Sequence, residues 1–111
     1  MPRQAGAVTP VGMEMTMARS QADHEVQRDD AALRVTLWRL APGSETGWHR
    51  HALPYLIVPV MGGQVTVEDK TGARNYLMDA GRSYSREAGV EHNVANDTGS
   101  EISFVEIELK S

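Results

Sequence analysis

Residues 43–62 read GSETGWHRHALPYLIVPVMG. In an extended chain, side chains two apart share a face, so His49 and His51 project together while Trp48 and Arg50 project the other way. Tyr55 keeps the parity of the two histidines. The run Leu56 to Val60 that follows is short and rich in aliphatic residues, and Gly62-Gly63 closes it, which is the length and punctuation of a strand and not of a helix. Two imidazoles side by side on a strand make a two-toothed chelate, although a lone His-x-His is also compatible with two polar residues on a wet face.

The same alternation of short β-type runs and turn residues continues on both sides. The runs are Leu33 to Leu40, Gly47 to His51, Gln64 to Glu68, Asn75 to Met78, Ser83 to Arg86, His92 to Asn96 and Ile102 to Leu109, separated by turn residues such as Asp69-Lys70-Thr71-Gly72 and Asn96-Asp97-Thr98-Gly99. No helical period persists, and many short strands of this kind predict an all-β sandwich or barrel. In the last run Val105, Ile107 and Leu109 alternate with Glu106 and Glu108, predicting an apolar core face and a wet outer face. Residues 1–12 read as a mobile arm. Met13, Met15 and Met17 alternate as in a half-buried strand, so the folded domain is expected over 13–111. The polar stretch from Ser20 to Asp30, with His24 exposed in it, reads as a loop.

The 111 residues suit one domain, and the net charge of −4 offers no basic stripe for nucleic acid. With no cysteine, any bound metal must be held by nitrogen and oxygen. No apolar run approaches the ~20 residues of a membrane span, and no export signal is evident, so a cytoplasmic protein is expected.

A second stretch, GRSYSREAGVEHNVAN at 81–96, supplies a third histidine, His92. Together the two stretches resemble the signature motifs of the cupin superfamily. The first motif, G-x5-H-x-H-x3/4-E-x6-G, is met at Gly43, His49, His51 and Gly62, with Tyr55 where the family has glutamate. The second, G-x5-P-x-G-x2-H-x3-N, is met at Gly81, Gly89, His92 and Asn96, with Glu87 in place of proline. The resemblance implies a jelly-roll, double-stranded β-helix barrel in which His49, His51 and His92 hold one divalent transition metal, as in the three-histidine members of the family. Such nitrogen-rich sites suit Fe(II), the first choice by analogy, as well as Mn, Ni, Cu or Zn.

Tyr55 is the candidate catalytic residue, as a general acid or a group that orients substrate; filling barrel volume and direct ligation are the other roles open to it. Glu45 shares the parity of His49 and is a candidate for the missing carboxylate. Asn96 is a possible hydrogen-bond partner for a ligating imidazole, Arg86 a candidate for neutralising an anionic substrate, and Trp48 a candidate contact residue. Glu91 is expected to be exposed. What the resemblance implies for function is a dioxygenase-like enzyme acting on a small organic acid or carbonyl compound. The alternative is a non-catalytic metal- or ligand-binding module in small-molecule catabolism, such as that of β-alanine. A homodimer is expected, because paired or exchanged strands cover open sheet edges.

Overall fold

The computed structural model describes residues 18–111; the arm at 1–12 and the strand expected at Met13–Met17 lie outside them. The described chain forms eleven strands: β1 (Ser20–Gln21), β2 (Asp23–Asp29), β3 (Leu33–Leu40), β4 (Ser44–Glu45), β5 (His49–Arg50), β6 (Tyr55–Met61), β7 (Gly63–Asp69), β8 (Gly72–Met78), β9 (Tyr84–Arg86), β10 (Glu91–Ala95) and β11 (Ile102–Leu109). They make two facing sheets. One has the order β1-β4-β10-β7-β8, with β5 also paired to β10, and the other the order β2-β3-β11-β6-β9. This is the all-β cupin barrel that the motifs imply. Among the described residues no helix is long and apolar enough to cross a membrane.

Each sheet is built around a strand with partners on both sides. β11 runs antiparallel to β3 from Ile102↔Leu40 to Leu109↔Leu33, and to β6 on its other edge. Leu40, Ile57, Val65, Met78, Ile102 and Phe104 are buried between the sheets, and burying each such side chain contributes about 1.5–3 kcal/mol. At the β7–β8 hairpin, Asp69 Oδ1 accepts the backbone N–H of Thr71 at 2.8 Å, an Asx turn that fixes the register Asp69↔Gly72. Gly62 and Gly63 act through space more than through turn geometry. A Cβ on Gly63 would lie 2.7 Å from Ile102 Cγ1, and one on Gly62 would lie 2.6 Å from the Met78 carbonyl oxygen.

Two expectations are corrected. The stretch read as a loop contains β1 and β2; β2 is exposed at all seven positions and is held by pairing with β3, so it carries no apolar alternation to read. In β11 the faces are reversed. Ile102 and Phe104 are buried, and Glu106, of the same parity, lines the interior cavity. Val105, Ile107 and Leu109 therefore point outward. With Val35 and Leu37 on β3 and Leu56 and Val58 on β6, they form a half-buried aliphatic outer face.

Candidate metal centre

The turn before β5 is set by a buried amide. Asn93 Oδ1 accepts the Gly47 backbone N–H at 2.9 Å, and its Nδ2 donates to Glu45 Oε1 and Glu68 Oε1, each at 2.9 Å. Arg19 closes this network, reaching Asp97 at 2.9 Å, Glu68 at 3.1 Å and Glu45 at 3.3 Å. Those charge-assisted bonds raise the proton affinity of the guanidinium and lower that of Asp97, while the Asn93 amide, and then Arg19, lowers that of Glu68. Glu45 is thus engaged at the network and does not replace the missing carboxylate. Gly47 itself sits at φ +91°, in the left-handed region that favours glycine.

That conformation aims the Gly47 carbonyl at the His49 ring, and Nδ1 of His49 donates to it at 2.7 Å. With the proton on Nδ1, Nε2 presents a lone pair. His51 is tied to the second histidine segment by its own backbone: its N–H donates to Val90 O at 2.8 Å and its carbonyl accepts Gly89 N–H at 2.7 Å. This pairing sets His92 directly opposite His49. Asn96, by contrast, is buried away from the imidazoles, where its amide donates to Leu40 O and Ser100 O.

The three imidazoles converge. Nε2 of His51 lies 3.0 Å from Nε2 of His49 and 3.2 Å from Nε2 of His92, and one nitrogen from each ring falls within 4.8 Å of the others. Imidazole nitrogens bind divalent ions at about 2.0–2.1 Å, so two such donors at right angles around one ion stand about 3 Å apart. The spacing and the all-nitrogen donor set fit a single divalent cation. Burial, then the charge of His49, lowers the His51 pKa to about 3, and burial likewise lowers His92 to about 4. Both rings are therefore neutral, as ligands must be.

Tyr55 is 2% exposed, and its ring stacks on that of His51, with centroids 3.8 Å apart and planes at 19°. Burial and the nearby Glu106 push its phenol up to about 12, so it keeps its proton at neutral pH. Glu106, which the sequence reading placed on the wet face, has Oε2 3.7 Å from His51 Nε2. Burial, and then the charge of Glu108, raises its carboxyl to about 7, while Trp38 and Arg34 favour the ionised form. Its parity with Ile102 and Phe104 was the one available sign of an inward position.

These groups line a cavity of about 160 Å³. Arg86 and Arg74 also border it. His24 lies apart on β2, exposed and stacked on Trp38 at 4.8 Å. Glu91 is exposed as expected, and Trp48, the candidate for an inter-subunit or inter-sheet contact, is 59% exposed and so makes no inter-sheet contact.

Comparison with known proteins agrees with this architecture. The cupin domain family model matches residues 36–108. The β-alanine degradation protein BauB of Pseudomonas aeruginosa is 49% identical over 92 residues, which are 83% of this chain and 97% of BauB. A cupin domain from Bordetella pertussis Tohama I superposes with a TM-score of 0.83 at 45% identity, covering 86% of this chain and all of that one. The polyketide cyclase RemF of Streptomyces resistomycificus shares the fold alone, with a TM-score of 0.66 at 16% identity over 86% of this chain and 71% of its own. By its two motifs, its barrel and these matches, the chain belongs to the cupin superfamily.

Proposed function

We propose that the protein is a metal-dependent, dioxygenase-like enzyme acting on a small organic acid or carbonyl compound. The observation that carries the reading is the convergence of His49, His51 and His92 at a cavity that also holds a protonated phenol and a partly buried carboxyl, that of Glu106. A divalent ion held by the three histidines supplies Lewis acidity and, if it is iron, one-electron chemistry towards O₂. Fe(II) is the favoured ion, with Mn, Ni, Cu or Zn as alternatives. Both oxygen atoms enter the product, so no external reductant is needed.

The chain's own residues bind and orient. Three neutral imidazoles, with one carboxyl, that of Glu106, 3.7 Å from His51 Nε2, leave the ion a net positive charge, which favours an anionic substrate such as an enolate, thiolate or carboxylate. Tyr55, protonated and held against His51, donates a hydrogen bond to the substrate oxygen, and Glu106 accepts a proton beside it. The likeness to BauB supports placing the reaction in the breakdown of β-alanine or a related amino acid. We propose a cytoplasmic homodimer, joined through the aliphatic outer face of the β3–β11–β6 sheet, since closed homo-oligomers bury the same patch on both subunits.

Tyr55→Phe tests the enzymatic reading. The variant should keep its metal while oxygen uptake by the Fe(II)-loaded protein, screened with small organic acids and carbonyl compounds, falls by roughly 10²–10⁴-fold. The likeness to a degradation protein whose name states no reaction supports a second reading, a non-catalytic binding module for the same catabolism. Absence of oxygen uptake in the wild type, with ligand binding unchanged in Tyr55→Phe, would establish it.

A further inference from the structure

Two arginines border the cavity, and they differ in what holds them. Arg74 Nη1 is paired with Asp69 at 2.7 Å. Arg86 has no carboxylate partner within 4.0 Å among the described residues. Its guanidinium carbon instead lies 4.5 Å from the Tyr84 ring centroid and 5.5 Å from that of Tyr76. The two rings brace each other edge to face, with centroids 5.0 Å apart. Cation–π contact of this kind holds an arginine in place without neutralising it. Of its five N–H donors, one bond, from Nη1 to the carbonyl of its neighbour Ser85 at 2.9 Å, is formed within the described chain.

The position of Arg86 is set by register. It pairs with Tyr55 across β9 and β6 and shares that residue's inward parity. One end of the cavity thus carries imidazoles, and a guanidinium braced by two rings and without a carboxylate partner among the described residues borders the same space. A planar fork of donors is the usual partner of a carboxylate.

We infer that Arg86 anchors a carboxylate of the ligand, so that the site takes a small bifunctional acid: one polar end meets the three histidines and the carboxylate at the other meets Arg86. This deepens the metal-centre reading and rests on it for the first of those two ends. The cavity of about 160 Å³ limits such an acid to on the order of ten non-hydrogen atoms, given the ~10–15 Å³ that one water-sized occupant requires on this measure.

The test uses the full chain loaded with redox-inert Zn(II) and two probes of one shape, 3-hydroxypropanoate and 3-hydroxypropanamide, with binding followed by calorimetry and metal content by elemental analysis. Wild type should bind the acid roughly tenfold to a hundredfold more tightly than the amide, the usual worth of hydrogen bonds to a charged group. Arg86→Gln should bind both probes alike with zinc content unchanged, and Arg86→Lys should fall between. Arg74→Gln, whose arginine is already satisfied by Asp69, should keep the preference. A preference that survives Arg86→Gln, that is lost in Arg74→Gln instead, or that is absent from zinc-loaded wild type overturns the assignment while leaving the metal centre standing. Failure of both probes to bind at millimolar concentration overturns it too. An Arg86-dependent preference in a chain that holds no metal would overturn the metal-centre reading and leave the carboxylate anchor in place.

Discussion

Replacing Glu106 by Gln should move the protein in opposite directions with and without metal. In the metal-free chain the carboxyl titrates at about 7, against an ordinary 4.5, and its side chain is only 13% exposed. The native state therefore keeps a proton that the unfolded chain has already released between pH 4.5 and 7. Stability falls as pH rises across that window, and the cost is fully present above it. At about 1.4 kcal/mol per pKa unit, the cost at pH 8 is on the order of 3 kcal/mol. The neutral amide introduced by Glu106→Gln carries no such cost, so the variant without metal should be the more stable protein at pH 8 and should lose that advantage by pH 4.5. With a cation among the histidines the sign changes, because the carboxylate 3.7 Å from His51 Nε2 is then a favourable neighbour. Removing such a partner weakens metal binding by about 10- to 100-fold. Urea unfolding in EDTA at the two pH values, followed by Zn(II) titration at pH 8, measures both effects. A variant that is no more stable than wild type in EDTA at pH 8, or that binds zinc equally well, would refute the argument.

Two further outcomes follow from the site and the outer sheet face. His49→Ala, His51→Ala and His92→Ala should each lower metal content per chain sharply, whereas His24→Ala, on the exposed β2 strand, should leave it unchanged; elemental analysis of the four variants decides this. Ile107→Glu, which puts a charge at the centre of the aliphatic outer face, should convert a dimeric mass in light scattering to a monomeric one at micromolar concentration, and a wild type already monomeric would exclude the dimer.

Where the sequence was legible, it was in the bounds of the strands, because short apolar-rich runs end at turn residues. β3 and β11 run over the residues so marked, and the spacing of Gly89 and His92 brings the third imidazole opposite His49. β2 was illegible because none of its side chains is buried; a backbone ladder on one edge holds it, and a ladder leaves no trace in hydropathy. The short β4 strand, two residues long, is held by backbone pairing with β1 and β10 and by the Arg19–Glu45–Asn93 network, all partners that lie far away in the chain.

The reversal of β11 shows the limit of period-two reasoning, which says that two faces differ but not which of them is inside. In most barrels hydrophobicity decides that question, but here it points the wrong way at one end of the strand. The inner face of β11 runs from Ile102 and Phe104 in the core to Glu106 beside the imidazoles, and the aliphatic residues are left on the outside. The missing motif carboxylate at Tyr55 and the added one at Glu106 belong to this same pattern. β6 and β11 are neighbours, with Glu106 opposite Ile57 and Tyr55 opposite Glu108. A carboxylate is absent from one strand of the site and present on the next, within 3.7 Å of a histidine nitrogen. A linear motif registers only the loss, because it is tied to positions along the chain, whereas charge balance at a cation depends on which groups surround it.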